Sequence, residues 1–271
     1  MALPLAPTSP APLSIEVTGP IGTLWLNRPD KRNAISLEMW AELPQLIGEL
    51  EANDAVRVIV IRGAGDHFCA GADISTIGAQ LTDGDGPGSY RRINEVAEET
   101  IAAATKPTIA MISGFCVGGG CQISFACDLR IADTTARFGI TVAKLGFTYP
   151  SFALERAARL MGSARTKYLL YSGDIVDAQT GYDWGITERL YEPGALSAEV
   201  EALAEMMAQR SLLTIIGTKE MLASFDASST IDDDVTATWE HEAKHGPDII
   251  AGVEAFTSKS TPTFTWLGKG R

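Results

Sequence analysis

The spacing of apolar residues divides the chain into two halves. In the first half, short apolar runs typical of buried strands are separated by polar or glycine-rich segments; these runs cover residues 14–18, 21–27, 56–61, 107–112, 129–132 and 136–138. Helical spacing fills several of the intervening segments, at residues 36–51, 90–105 and 121–127. A strand followed by a helix and a second strand is typical of an α/β domain, in which the two strands are parallel neighbours.

From residue 152 onward the periodicity is almost entirely helical. It predicts helices at residues 152–161, 164–172, 178–181, 198–209, 212–225, 231–244 and 248–257. A composition shift at residues 192–194 marks the expected boundary between an α/β core at 13–192 and a helical region at 193–271. Residues 1–12 carry four prolines and no charge, which predicts a disordered tail, and the Gly/Asp-rich segment 82–89 predicts a mobile loop.

The least polar part of the chain runs from Lys106 to Asp128, with no charged residue between them. Its length would suffice to cross a bilayer, but glycines at 114 and 118–120 interrupt it. The pattern therefore predicts a buried strand, a glycine turn and a short buried helix. Backbone N–H groups at such a helix N-terminus favour a negatively charged group.

Composition and charge narrow the function classes. The 271 residues are 45% hydrophobic and 21% charged, as in ordinary soluble domains. The net charge of −12 argues against a nucleic-acid partner, because duplex-binding proteins carry a basic face. Since the pattern contains no signal peptide or membrane span, we expect a cytoplasmic protein without a membrane partner. The four cysteines form no C-x-x-C pair, which favours buried, reduced thiols and no metal site.

Two turns built from small residues are the candidates for chemistry. The loop F-C-A-G-A-D follows the strand at 56–61, and the turn G-G-G-C follows the strand at 107–112. Because these strands are predicted to be parallel neighbours, both turns lie at their carboxyl ends, where α/β sheets bind ligands. We expect the backbone N–H groups of Ala70 and Gly119 to converge there as an oxyanion hole. The alternative is that the glycines only permit tight turns.

These segments resemble the enoyl-CoA hydratase/isomerase (crotonase) superfamily. The resemblance rests on N-R-P-D-K-R-N-A, R-G-A-G-D-H-F-C-A-G-A-D-I and K-P-T-I-A-M-I-S-G-F-C-V-G-G-G-C-Q, and it covers residues 14–190 well and the helical tail weakly. It implies a crotonase-like α/β spiral of ββα units with a C-terminal helical trimerisation region, and a homotrimer or a hexamer of paired trimers. It also implies an acyl-CoA thioester as ligand, so that coenzyme A enters with the substrate and no separate cofactor is expected.

The resemblance assigns residues to the site. It places the oxyanion hole on Ala70 and Gly119, and the substrate and coenzyme A contacts on Lys31, Ala34, Ala70, Ala72, Asp73, Ile74, Phe256 and Lys259. In hydratases of this family, glutamates occupy the positions that are Gln122 and Val142 in this chain. Neither residue can take a proton from water, so ordinary hydratase activity is not expected.

Three functions therefore stay open within this resemblance. The family as a whole favours a hydratase or an isomerase, whereas the missing glutamates favour a decarboxylase-type lyase or an acyl-CoA-binding protein without catalysis. Decarboxylation of a malonyl-type thioester needs no base, and Tyr149 lies where some decarboxylating members have a tyrosine. A packing role for Tyr149 is the alternative.

Other motifs point to different chemistry. Residues 241–245 match H-E-x-x-H, which on a helix could bind zinc. A zinc site requires a third ligand, and Gly246-Pro247 ends this helix at once, so a solvated helix face is the favoured interpretation. The patterns G-x-G-x-x-G and G-x-x-x-x-G-K-[ST] are absent, which leaves nucleotide binding without support.

Overall fold

A computed structural model describes residues 3–77, 86, 88–266 and 268. Its strands are β1 (Leu13–Thr18), β2 (Ile21–Leu26), β3 (Val58–Gly63), β4 (Thr108–Ile112), β5 (Phe115–Val117), β6 (Leu129–Asp133), β7 (Arg137–Gly139), β8 (Ile175–Asp177) and β9 (Arg189–Tyr191). Its helices are α1 (Leu37–Ala52), α2 (Ile74–Ile77), α3 (Tyr90–Ala102), α4 (Gly119–Ala126), α5 (Ser151–Met161), α6 (Ser163–Ser172), α7 (Ala178–Trp184), α8 (Leu196–Ala208), α9 (Leu212–Ser228), α10 (Asp233–His245) and α11 (Pro247–Ser258). The predicted mobile loop at 82–89 lies largely outside the described residues.

Parallel pairing dominates the larger of the two sheets. Its strand order is β1-β2-β3-β4-β6-β9, and only β1 and β2 form an antiparallel pair within it. β3 pairs in parallel with β4, with Ile59 opposite Thr108, which confirms the predicted crossover through α3. An isolated bridge between Cys69 and Cys116 joins the loop after β3 to the smaller sheet of β5, β7 and β8. The loop after β3 and the glycine turn after β5 therefore lie side by side.

Helices cover both faces of the main sheet. Because side chains alternate along a strand, Ile59 and Ile61 of β3 face one side, and Val58 and Val60 face the other. The first side packs in a large buried cluster with α1, α3 and α4, and the second side packs against α8. α8 thus belongs structurally with the sheet, although its sequence lies beyond the predicted boundary at 193. The later helices share a small cluster of their own, which contains Leu212, Leu213, Trp239 and Trp266.

The structure differs from the prediction at the proline-rich start of the chain. Leu3 is 3% exposed and packs with Ile21 in the cluster beneath α8. Its N–H donates to Glu201 Oε2 at 3.2 Å, and the carbonyl of Pro4 accepts from Arg62 Nη1 at 3.0 Å. Burial of one leucine contributes about 1.5–3 kcal/mol, which opposes the entropy lost when the segment becomes ordered. Composition alone does not reveal this anchor.

The uncharged stretch between Lys106 and Asp128 forms β4, β5 and α4. Charged groups hold both of its ends. Lys106 Nζ donates to Leu50 O at 2.8 Å and to Asn53 O at 2.7 Å, which satisfies carbonyls at the end of α1. Asp128 Oδ2 accepts from Lys219 Nζ at 2.8 Å. Throughout the described part of the chain, no helix has both the length and the hydrophobicity that a membrane span needs.

Candidate active site

The loop after β3 and the turn after β5 are in direct backbone contact. Cys69 N–H donates to Phe115 O at 2.7 Å, and Val117 N–H donates to Cys69 O at 3.0 Å. Glycines permit this approach, since a Cβ on Gly120 would lie 2.4 Å from Cys69 O, and one on Gly71 would lie 2.9 Å from Val117 O. A side chain at either glycine would force the two segments apart.

Two backbone N–H groups that have no acceptor among the described residues lie side by side at this contact. They belong to Ala72 in the loop and to Gly119 at the first position of α4. A Cβ on Gly119 would lie 3.4 Å from Ala72 N, so the two groups are close together. The dipole of α4 favours negative charge at its N-terminus. The two N–H groups are therefore a candidate oxyanion hole.

The predicted donor at Ala70 is corrected by the structure. Its N–H donates to Arg32 O at 2.9 Å and is therefore occupied. The neighbouring segment also forms a short parallel bridge between Ile35 and Ala72, in which Asp73 N–H donates to Ile35 O at 2.8 Å. Successive N–H groups of an extended segment point to opposite sides. The bridge consequently uses the N–H of Asp73 and leaves that of Ala72 directed away from it.

A cavity of ≈ 640 Å³ opens onto these two N–H groups. Among the predicted site residues, its lining contains Ala70, Ala72, Ile74, Gly119, Gln122, Val142 and Tyr149. It also contains residues that the sequence pattern does not single out, among them Tyr90, Arg91, Leu145, Phe147 and Leu154. A concave, largely apolar cavity of this size is typical of a small-molecule site.

The positions of the missing glutamates lie in this cavity. Gln122 is 4% exposed on α4, one turn after Gly119, and Val142 begins a short 3-10 helix. Tyr149 OH donates to Gly118 O at 3.4 Å, and burial raises the pKa of Tyr149, which keeps the phenol neutral. Of the described residues, no Asp or Glu belongs to the lining. The described lining can stabilise charge on an oxygen but supplies no carboxylate to move a proton.

An ion pair joins the two loops that were predicted to hold coenzyme A. Arg28 Nη2 donates to Asp73 Oδ2 at 2.8 Å, and hydrogen bonds from Ser75 and Arg28 lower the pKa of Asp73. Arg28 Nη1 also donates to Ala34 O at 2.7 Å. Lys31 is exposed on the same loop. Lys31, Ala34 and Asp73 thus border the site without belonging to the cavity lining.

Phe256 and Lys259, the two C-terminal residues that were predicted to contact coenzyme A, do not line the cavity of their own chain. Phe256 is 88% exposed on α11. Lys259 follows the end of that helix in a left-handed conformation, with φ 56°. α11 packs against α10 in the C-terminal region. Neither residue lines the cavity, so a contact between them and coenzyme A remains a prediction.

The H-E-x-x-H segment lies on α10. The ring centroids of His241 and His245 are 4.2 Å apart, and His245 Nδ1 lies 2.8 Å from His241 O. Glu242 Oε2 accepts a hydrogen bond from Trp266 Nε1 at 3.4 Å, so this carboxylate packs against the C-terminal cluster. In the residues that the structure describes, no three His, Cys, Asp or Glu side chains are arranged to hold a metal ion.

The cysteines are buried free thiols. Burial raises the pKa of Cys69 and of Cys127 to about 12, and it also raises the pKa of Cys116. Because the thiolate is the reactive form, we expect the four cysteines of the native protein to resist a chromogenic disulfide reagent at neutral pH. The same thiols should react fully after unfolding, as measured by the absorbance of the released reagent. Rapid reaction of the folded protein would contradict this picture.

A buried carboxylate that the sequence pattern does not single out lies on α3. Glu98 is 0% exposed, and Arg156 Nη1 lies 3.2 Å from its Oε2. Burial raises the pKa of Glu98 to about 8, although the Arg156 guanidinium opposes the shift. Tyr90, Asn94 and Glu98 recur at intervals of four along the helix. This polar stripe on the buried side of an amphipathic helix is the signal that could have revealed Glu98.

Known proteins with similar sequences and structures identify the family of the chain. A family model described as Enoyl-CoA hydratase/isomerase matches residues 16–266. A peroxisomal Delta(3,5)-Delta(2,4)-dienoyl-CoA isomerase of Arabidopsis thaliana is 31% identical over 256 residues, which cover 90% of this chain and 92% of that protein. A short-chain-enoyl-CoA hydratase of Clostridium acetobutylicum is 30% identical over 230 residues, which cover 84% of this chain and 86% of that protein.

The structural likeness extends over almost the whole chain. The crystal structure of an enoyl-CoA hydratase from Bacillus anthracis matches with a TM-score of 0.83 at 27% identity, covering 94% of this chain and 99% of that one. This match confirms the predicted crotonase-like α/β fold with a helical C-terminal region. The similar proteins carry the names of different reactions, so the reaction has to be inferred from the site itself.

Proposed function

The chain belongs to the enoyl-CoA hydratase/isomerase family, and we propose that it binds an acyl-CoA thioester with the thioester oxygen between the N–H groups of Ala72 and Gly119. The observation that carries the proposal is this pair of adjacent donors at the wall of the cavity, which have no acceptor among the described residues. Members of the family are acyl-CoA-processing enzymes, and a thioester supplies the carbonyl oxygen that such donors suit.

The two N–H groups stabilise the enolate that forms when a bond to the α-carbon breaks. Charge then moves onto the thioester oxygen, and one preorganised donor lowers such a barrier by about 2.7–4 kcal/mol. The N-terminus of α4 adds about 0.3–1 kcal/mol, since the helix dipole favours the same charge. Loss of carbon dioxide, loss of a proton or addition at the β-carbon would each pass through this enolate.

The side chains that line the cavity favour one of these reactions over the others. Hydration and isomerisation need a group that moves a proton, and Gln122 and Val142 supply none where the family has glutamates. Decarboxylation breaks the bond between the carboxylate and the α-carbon, leaves the electron pair in the enolate and needs no base; the enolate then takes a proton from water at the α-carbon. Tyr149, neutral and bonded to Gly118 O, is one of the polar side chains of the lining that could contact the departing carboxylate. We therefore favour a decarboxylase-type lyase among the reactions of the family.

A second candidate is an acyl-CoA-binding protein without catalysis. The observation that favours it is again the absence of a carboxylate among the described residues of the lining. The donor pair would then serve affinity and orientation rather than a transition state.

The coenzyme A portion of the bound thioester is proposed to extend out of the cavity along the loops joined by Arg28. Its contacts there would be Lys31, Ala34 and Asp73, with Phe256 and Lys259 as further contacts. A homotrimer or hexamer belongs to the same proposal. Exposed apolar side chains on the C-terminal helices support such assembly, namely Leu222, Phe225, Ile249, Val253 and Phe256.

A panel of thioesters tests the proposal. Crotonyl-CoA, longer enoyl-CoAs and malonyl-type CoAs would be offered to the protein, with binding and turnover measured in parallel. Turnover of a malonyl-type CoA is the result that we expect from a lyase. Tight binding with no turnover would favour the binding protein. The proposal fails if none of these thioesters binds.

A further inference from the structure

A row of polar side chains is buried between α3 and the helix that begins the oxyanion hole. Tyr90, Asn94 and Glu98 lie at successive turns of α3, and the side chains of Asn94 and Glu98 are fully buried. Gln122 Nε2 on α4 donates to Asn94 Oδ1 at 3.2 Å. The buried atoms Asn94 Nδ2 and Glu98 Oε1 have no hydrogen-bond partner among the described residues. Polar atoms in this condition are uncommon in folded proteins and call for an explanation.

The hydrogen bond to Asn94 determines which end of the Gln122 amide can bond to a group in the cavity. Gln122 lines the cavity, and its Nε2 is occupied. Its carbonyl oxygen Oε1 accepts no hydrogen bond from the described residues, so it can accept one from a group in the cavity. An amide turned by half a rotation would offer two N–H donors instead. The orientation of Gln122 thus determines whether the cavity wall attracts a donor or an acceptor at this point.

Asn94 connects this choice to Glu98. The two residues lie one turn apart on α3, and Asn94 Nδ2, a donor, and Glu98 Oε1, an acceptor, both lack a hydrogen-bond partner among the described residues. A carboxylate only accepts hydrogen bonds, so it keeps the N–H₂ end of Asn94 on its side and the carbonyl end toward Gln122. A carboxylic acid can donate, and it would favour the reversed amide. Reversal of Asn94 would then reverse Gln122.

We propose that Glu98 is a positioning residue that acts through Asn94 to set which end of the Gln122 amide faces the acyl group. The proposal rests on the proposed function, because it assumes that the cavity holds an acyl thioester. Gln122 lies one turn after Gly119 on α4, so a substituent near the β-carbon of a thioester held by Gly119 faces it. With Glu98 ionised, Gln122 offers a carbonyl oxygen and prefers a hydroxyl there.

The charges around Glu98 place this effect in an accessible pH range. Burial raises its pKa to about 8, Arg156 on α5 lowers it, and the neighbouring Glu99 raises it slightly. Burial raises the pKa of Tyr90 and of Tyr149, both of which line the cavity, and the charge of Glu98 adds to both shifts. The carboxylate form prevails above the pKa and the acid form below it. Preference for a hydroxyl should therefore increase as the pH rises through this value.

Calorimetric titration with two probes tests the proposal in the full-length protein. Butyryl-CoA and 3-hydroxybutyryl-CoA differ by one hydroxyl group, and the ratio of their Kd values reports the preference at the β-carbon. We expect the ratio to favour the hydroxyl probe by about fivefold to tenfold more above the pKa of Glu98 than below it, the size of one hydrogen bond. Glu98→Gln should abolish this pH dependence. The matched variant Glu95→Gln alters a partly exposed carboxylate of the same helix, which pairs with Arg92, and should retain the pH dependence.

The outcomes separate this inference from the proposed function. If both probes bind with a ratio that does not change with pH, the role of Glu98 is wrong and the acyl-CoA site stands. If neither probe binds, the proposed function fails and the role of Glu98 fails with it. The titration of the wild-type protein uses no variant, so it tests the inference even if the Glu98→Gln protein is unstable.

Discussion

Replacement of Gly119 by proline should weaken binding of a thioester enolate by about 10²–10³-fold. The reason is that proline has no N–H, and one oxyanion donor is worth about 2.7–4 kcal/mol. Proline is well tolerated at the first position of a helix, which Gly119 occupies. Acetoacetyl-CoA is a suitable probe, because its α-carbon is acidic and its enolate absorbs in the near ultraviolet. The measurement is a spectrophotometric titration of protein with this probe.

Gly119→Ala is the matched control for this prediction. It adds a Cβ 3.2 Å from Trp40 Cζ2 and 3.4 Å from Ala72 N, as proline also does, but it keeps the N–H group. The alanine variant should therefore show how much enolate binding is lost because of the added Cβ. The further loss of binding in the proline variant should report the contribution of the Gly119 N–H group. Equal loss of enolate binding in the two variants would mean that the Gly119 N–H makes no contribution.

Restoration of both glutamates should create hydratase activity. In the double variant Gln122→Glu and Val142→Glu, two carboxylates would face the cavity beside the donor pair. General acid–base catalysis contributes about 10²–10⁴-fold, so we expect hydration of crotonyl-CoA to rise by about that factor over the wild-type rate. Loss of absorbance from the conjugated thioester measures the reaction.

The single variants test whether both carboxylates are needed. Each should fall well short of the double variant, because one group has to hold the water while the other moves a proton. Easily measured hydration of crotonyl-CoA by the unaltered protein would overturn our interpretation of Gln122 and Val142. In that case another proton-transfer group would have to serve, and Glu98 would be the first to examine.

Much of the fold could be predicted because its signals are local. The helix at 36–51 begins where Ser36 caps it, with Ser36 Oγ accepting from Met39 N–H. The buried strands β2, β3, β4 and β6 are apolar runs long enough to recognise. β5, β8 and β9 have only three residues each, too few for a reliable period, and were missed, whereas the equally short β7 was predicted. Their pairing depends on partners that are distant in sequence.

The sequence predicts an oxyanion donor at Ala70, whereas the structure occupies the Ala70 N–H and leaves that of Ala72 in the same loop without an acceptor among the described residues. Sequence places Ala70 and Ala72 two positions apart among small residues, and both backbones could approach a ligand. The choice between them depends on which N–H groups the segment at 32–35 occupies, and that pairing is a tertiary contact. The sequence pattern did not single out Glu98 for a similar reason. Its raised pKa comes from burial, which depends on tertiary packing and not on residue type.

The central claim is that the N–H groups of Ala72 and Gly119 donate hydrogen bonds to a thioester oxygen. Infrared spectroscopy of a bound thioester tests this claim most directly. Butyryl-CoA labelled with ¹³C at the carbonyl carbon would be bound to the protein, and the labelled stretch would be isolated by difference from the unlabelled complex. Hydrogen bonds from Ala72 and Gly119 should move this stretch to lower frequency than in water, and the shift should shrink in Gly119→Pro. An unshifted carbonyl in the bound state, or a shift that survives in Gly119→Pro, would contradict the account.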